Sequence, residues 1–189
     1  LDDVANYVPA RLTALLMVVV SGKIGLLSFV WKYGRRHASP NSGYPEAAAT
    51  REALQRHAPF DAVFTSPLSR CTRLADYCGY GDAKRDRRIL EINFGDWEMQ
   101  RFDDISDRRL QEWYDDYLNT AATHGESFHM QYERVADFLN ELKASALRRV
   151  AVFAHGGVLL CAQIYAGAVK PEEAFNALTP YGGIIKICI

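Results

Sequence analysis

Two short, largely apolar runs, Asp61–Thr65 (DAVFT) and Val150–Ala154 (VAVFA), constrain this chain more than any other feature. Neither alternates polar with apolar residues. Runs of this length without alternation predict strands buried on both faces, which belong to parallel sheets covered by helices. Each is followed by turn residues and a helix-like segment: Ser66-Pro67-Leu68-Ser69-Arg70 after the first, His155-Gly156-Gly157 and an apolar run after the second. Ser66 reads as an N-cap, with Pro67 in the first helical turn. Helices are predicted over Glu46–Ala58, Arg108–Leu118 and Gln131–Leu147, and a last strand over Ile184–Ile189. Strand-like and helix-like segments in alternation predict an α/β architecture. No internal repeat is present.

Upstream the texture differs. Leu12–Trp31 (LTALLMVVVSGKIGLLSFVW) is apolar apart from a few residues, with Arg11 before it and Lys32, Arg35 and Arg36 after it. As a helix it would be about 30 Å long, enough to cross a hydrocarbon core. Lys23 would then cost about 2.5–3.5 kcal/mol on insertion. The competing reading is two shorter elements broken at Ser21-Gly22. No small-residue cleavage site follows, so the stretch does not read as a signal peptide. Tyr33–Pro45 is rich in Gly, Pro, Ser and Asn and reads as a linker. The chain opens on Leu1, which reads as a fragment of a longer reading frame.

Charge and cysteine content exclude several classes. Lys+Arg number 22 against 23 Asp+Glu, a net charge of −1 that argues against nucleic acid as a partner. The four cysteines, Cys71, Cys78, Cys161 and Cys188, show no CxxC and no metal-ligand spacing. They read as buried reduced thiols in a reducing, cytoplasmic compartment, with no metal or cofactor implied.

Chemistry is concentrated where the apolar runs end. In parallel sheets the carboxyl ends of the strands line the ligand crevice. A helix N-terminus there suits a phosphate, Arg70 adds a planar cationic fork, and His155 a titratable donor. The plainer alternatives are a surface charge for Arg70 and a satisfied strand-end histidine for His155. The glycines behind His155 would permit close ligand approach. In Arg87–Glu98 (RRILEINFGDWE), Glu91 lies ahead of Phe94 and Trp97. A carboxyl beside aromatics has a raised pKa, as a general acid needs; the alternative is an exposed loop acid. Gly125-Glu126-Ser127 precedes a long helix, which Ser127 would cap.

The order SPLSRC, LEINFGDWE, GES and FAHGG resembles the histidine phosphatase (phosphoglycerate mutase-like) superfamily, from about Glu46 to the C-terminus. The resemblance implies a three-layer α/β sandwich with a mostly parallel sheet. It also implies that Arg70 binds the phosphate, Glu91 is the general acid and His155 donates to the phosphoryl oxygens, without a metal. The family opens with an apolar strand ending in Arg-His-(Gly/Thr/Ala), whose histidine is the nucleophile. Before Glu46 those three letters occur at Arg36-His37-Ala38, where Lys32, Tyr33, Gly34 and Arg35 replace the apolar strand. The domain is therefore expected to be N-terminally truncated and preceded by a hydrophobic helical segment.

Residues 1–48 resemble instead the C-terminal part of adenosylcobinamide-phosphate synthase, an integral membrane protein of cobalamin biosynthesis, through DDVANYVPARLTALL and HASPNSGYPEAA. One histidine phosphatase subfamily, alpha-ribazole phosphatase, acts in the same pathway. These resemblances imply a truncated fusion, with residues 1–45 a synthase-like segment and linker and residues 46–189 a histidine phosphatase-like domain. The implied reaction is hydrolysis of the small phosphorylated substrate alpha-ribazole 5′-phosphate, slowed by loss of the nucleophile-bearing strand, with membrane association through residues 12–31. The alternatives are a non-catalytic phosphate-ester binding module and a remnant of the membrane synthase.

Overall fold

The computed structural model describes residues 15–20, 45–100, 102–173 and 185–189. Its elements run β1 (Leu15–Val20), α1 (Pro45–His57), β2 (Ala62–Thr65), α2 (Ser69–Tyr77), β3 (Lys84–Arg85), α3 (Arg109–Asp115), α4 (Phe128–Ala144), β4 (Arg149–Ala154), α5 (Gly156–Tyr165) and β5 (Ile185–Ile187). The strands form one sheet in the order β3-β2-β4-β1-β5. β2 is parallel to β3 and β4, and β1 is parallel to β5. β1 and β4 pair antiparallel.

β4 is the keel. Val150 to Ala154 are all buried, as a strand covered on both faces must be. Val150, Val152 and Ala154 pack with Val135, Phe138 and Leu139 of α4 and with Val158 to Ala162 of α5. Ala151 and Phe153 pack on the other face with Leu54 of α1 and Cys71, Leu74 and Ala75 of α2. This period-two division produces a three-layer α/β sandwich. The covering helices bury faces at helical spacing: Ala47, Thr50, Ala53 and Leu54 on α1, and Phe128, Gln131, Val135, Phe138, Leu139 and Leu142 on α4.

The apolar stretch Leu12–Trp31 departs from the expected membrane helix. Its described part, Leu15–Val20, is a strand hydrogen-bonded to β4 on one side and β5 on the other. Consecutive valines lose rotamer freedom in a helix and fit a pleated surface. The two neighbouring strands also satisfy the backbone groups that a lone segment would leave open. The strand stops next to Ser21-Gly22, the break in the two-element reading. The remainder of the stretch, with Lys23, lies outside the described residues. Among the described residues no helix is long and apolar enough to cross a membrane.

The turn after β2 also departs from expectation. Ser66 does not cap a helix. Its N–H donates to Phe153 O at 2.7 Å and continues the ladder, and the helix begins three residues later at Ser69, with Leu68 as its cap. Ser127 does cap α4, accepting from Met130 N at 3.2 Å.

Candidate active site

The carboxyl ends of β2 and β4 lie side by side, with Thr65 opposite Phe153. The chain leaves β2 through Ser66 and β4 through His155, and their side chains meet: Ser66 Oγ is 2.7 Å from His155 Nε2. Arg70, in the first turn of α2, donates from Nε to His155 Nδ1 at 3.2 Å. A guanidinium has no acceptor, so Nδ1 carries the lone pair and Nε2 carries the proton donated to Ser66. Cys71 Sγ lies 3.5 Å from Nε2 and donates to Ala154 O at 3.3 Å. His155 is completely buried.

Glu91 reaches the same edge from the loop after β3. It is 8% exposed, not a solvated loop acid. Oε1 accepts from Ile92 N (3.1 Å), Gln131 Nε2 (3.2 Å) and Gly157 N (3.2 Å). The Gly157 bond uses one of the first N–H groups of α5 and sets the carboxyl two residues from His155. Burial pushes the Glu91 carboxyl above its ordinary value of 4.5. The three donors and the charge of Arg70 oppose that shift. The aromatics expected beside it lie elsewhere, since Phe94 and Trp97 pack with Ile105 and Ala122 in a separate cluster. The cause of the shift is therefore the seam between α4 and α5, not the aromatic pair.

The glycines behind His155 divide their roles. A Cβ on Gly156 would meet open space. One on Gly157 would lie 2.6 Å from both Glu91 Oε1 and Gln131 Oε1. At Gly157 the close approach is by the Glu91 and Gln131 side chains.

Arg70, His155 and Glu91 are all at this edge, with Arg70 and His155 in direct contact. His37 lies outside the described residues. A further Arg-His-Ala, Arg56-His57-Ala58, closes α1 at the opposite edge, where His57 O accepts from Arg149 at 3.1 Å. Sequence reasoning did not single out the residues that support Glu91. Arg134 donates to the carbonyls of Arg88 and Leu90 (2.7 Å each) and of Glu91 (3.1 Å), and to the Glu126 carboxylate. Glu126 in turn accepts from Asn93 N at 3.0 Å. Gln131 is a buried amide within the apolar face of α4, and that interruption of the stripe was the available signal.

Comparison with known proteins follows this geometry. The sequence profile of the histidine phosphatase superfamily (branch 1) matches residues 40–189. That of the CobD/Cbib protein family matches residues 1–55. An adenosylcobalamin/alpha-ribazole phosphatase of Salmonella typhimurium is 34% identical over 119 residues, which cover 59% of this chain and 59% of that protein. A cobalamin biosynthesis protein CobD of Pelobacter propionicus is 52% identical over 54 residues, covering 26% of this chain and 17% of that protein. The crystal structure of the alpha-ribazole phosphatase from Shigella flexneri superposes with a TM-score of 0.68 over 90% of this chain and 89% of that one. At 20% identity this is a likeness of fold. The chain spans 59% of the length of the curated phosphatases it matches. With its strand-end pair in contact and the superfamily profile covering residues 40–189, the chain belongs to the histidine phosphatase superfamily, branch 1.

Proposed function

We propose that residues 46–189 form a phosphomonoester-handling domain of the alpha-ribazole phosphatase type. Its substrate would be alpha-ribazole 5′-phosphate, in cobalamin biosynthesis. The observation that carries this reading is the contact of Arg70 with His155 at the shared carboxyl edge, with Glu91 held on the Gly157 N–H beside them. Arg70 is the phosphate clamp: its terminal nitrogens can take two anion oxygens while Nε remains on the imidazole. The cap of α2, Leu68, brings no side-chain acceptor to that helix N-terminus, which favours an anion there. His155 holds the Arg70 fork through Nδ1, and it stabilises the transferring phosphoryl group by exchanging the Ser66 contact of Nε2–H for a phosphoryl oxygen. Glu91 protonates the leaving oxygen as the phosphorus–oxygen bond breaks, and the bonding pair stays on that oxygen. The names of the relatives support the substrate class and pathway. The match of residues 1–55 supports a synthase-derived segment, residues 1–45, ahead of the domain. Membrane association through residues 12–31 would compete with the pairing of Leu15–Val20 to β4 and β5. Three buried thiols without a disulfide, Cys71, Cys78 and Cys161, fit a reducing compartment, whereas Cys188 is exposed.

A second reading, an anion-binding module with little turnover, is favoured by the direction of β1. A nucleophile at the end of a strand beside β4 reaches His155 only if that strand runs parallel to β4. β1 runs antiparallel: Leu15 pairs with Ala154, and Val20 with Arg149. Its carboxyl end therefore lies about 17 Å from the edge that bears His155. Neither described strand beside β4 ends in a histidine, and His37 lies outside the described residues.

Vanadate binding and acid-labile phosphoenzyme formation on the full chain separate the readings. The expected result is vanadate binding that weakens about tenfold to a hundredfold in Arg70→Ala, with a phosphohistidine signal near background. Binding untouched by Arg70→Ala would remove the site. A strong phosphoenzyme signal abolished by His37→Ala would overturn the low-turnover reading and make His37 the nucleophile.

A further inference from the structure

We propose that Gln131 is a positioning residue for the Glu91 carboxyl. With the N–H groups of Ile92 and Gly157 it saturates Oε1, and so leaves Oε2 as the oxygen that carries and releases the proton. The role assigned to the proton rests on the reading of Glu91 as a general acid; the assignment of the two oxygens does not.

Three observations carry the inference. Gln131 is completely buried on a face of α4 that is otherwise built from Phe128, Val135, Phe138, Leu139 and Leu142. A buried amide there lowers stability unless its polar atoms are paired, so an apolar residue would serve packing better. The amide meets Glu91: Nε2 donates to Oε1 at 3.2 Å. Finally, Glu91 Oε2 and Gln131 Oε1 are the two buried side-chain oxygens without a hydrogen-bond partner among the described residues. They belong to the same pair. One carboxyl oxygen takes three N–H donors and the other takes none. A proton on Oε1 would collide with those donors, whereas a proton on Oε2 displaces nothing. Gly157 permits the arrangement, because any larger residue would fill the space held by Oε1 and the amide.

The charged and titratable groups around the carboxyl come from every element packed on it. Arg70 approaches from α2, and Cys161 on α5 feels its charge. Arg134 on α4 holds the Glu91 carbonyl, and Glu126 lies behind Arg134. None of these donates to Oε1. Removing Gln131 therefore subtracts one donor from the ionised form and leaves the charges in place.

The test is a carboxyl titration of the full chain by carbon-13 NMR, with Glu91→Gln used to assign the signal. In wild type the side-chain amide signals of Gln131 should shift with the Glu91 midpoint. In Gln131→Met, which keeps the volume and removes the donor, that midpoint should rise by about one unit. The infrared carbonyl band of protonated Glu91 should move to higher frequency, because Oε1 is its carbonyl oxygen and has lost a hydrogen bond. Gln131 signals that stay flat through the Glu91 titration would overturn the proposal, and that measurement needs no variant. A midpoint unchanged in a folded Gln131→Met protein would overturn it as well. Where the titration moves but measurable phosphomonoester hydrolysis by wild type is unchanged in Gln131→Met and Glu91→Gln, the positioning stands and the general-acid reading falls.

Discussion

Glu91 is a carboxyl held where ionisation is unfavourable, and this has a consequence for stability that does not depend on catalysis. Its folded-state pKa is raised above 4.5 by burial. The folded state then binds more protons than the unfolded state between the two values, and stability falls as pH rises through that window. Glu91→Gln removes the titration and keeps the shape. We expect its melting temperature to exceed that of wild type by a few degrees at neutral pH, with the advantage vanishing below about pH 4. Calorimetry across that range checks the sign, and an advantage that grows on acidification would contradict it. His155 offers a second test at this scale. Donation from Arg70 requires the neutral ring to carry its proton on Nε2, which nitrogen-15 correlation spectra read directly. Ser66→Ala removes the oxygen 2.7 Å from that buried N–H and should cost about 1–2 kcal/mol in denaturant titration.

Among the elements, α4 does more than cover the sheet. One edge of it carries Gln131, Arg134, Asp137 and Glu141, and each grips the loop between β3 and α3. Arg88 reaches Asp137 and Glu141 at 2.8 and 2.7 Å. Arg134 takes the carbonyls of Arg88, Leu90 and Glu91, and Gln131 takes the carboxyl itself. The loop's own regular structure is short 3-10 turns, and the helix holds them in place. The N-terminus of α5 presses on it from the other side through Gly157. Gly157→Ala places a methyl against Glu91 and Gln131, and overpacking of this kind costs about 1–3 kcal/mol. Chemical denaturation should show that loss. Gly156→Ala, whose added methyl meets open space, should stay within about 0.5 kcal/mol of wild type.

For the molecule as a whole, β1 is the surprising member. It sits between β4 and β5, so both rows of its backbone groups enter the ladder. A proline in a strand paired on both sides removes a ladder donor and cannot be accommodated without a bulge. Val18→Pro, opposite Ala151 and Lys186, should therefore lower the melting temperature by several degrees and expose the adjoining β4 amides to hydrogen exchange. If Leu15–Val20 instead worked only as a membrane anchor, that substitution would leave the melting of the remaining domain unchanged.

The sequence by itself determined the parts whose signals are local. Short apolar runs gave β2 and β4 as strands, with Val150–Ala154 of β4 buried and β2 half-buried up to Thr65; helical spacing gave α1 and α4, and Ser127 announced its cap. The residues ending those strands, Ser66 with Arg70 and His155, were marked by their place after an apolar run. Tertiary structure alone decided what needs a partner far along the chain. Leu15–Val20 lies within Leu12–Trp31, which has the apolar length of a helix, and its strand form exists only because β4 and β5 supply hydrogen bonds on either side. Ser66 looks like a cap, but its backbone extends the β2 ladder to Phe153 O and its hydroxyl is drawn to His155, three residues ahead of the helix. Glu91 looks exposed in sequence, yet Gln131, forty residues later, and Gly157 enclose it. Its pKa, its orientation and its free oxygen follow from that enclosure, because burial and donor count are properties of the folded site and not of the residues flanking it in the chain.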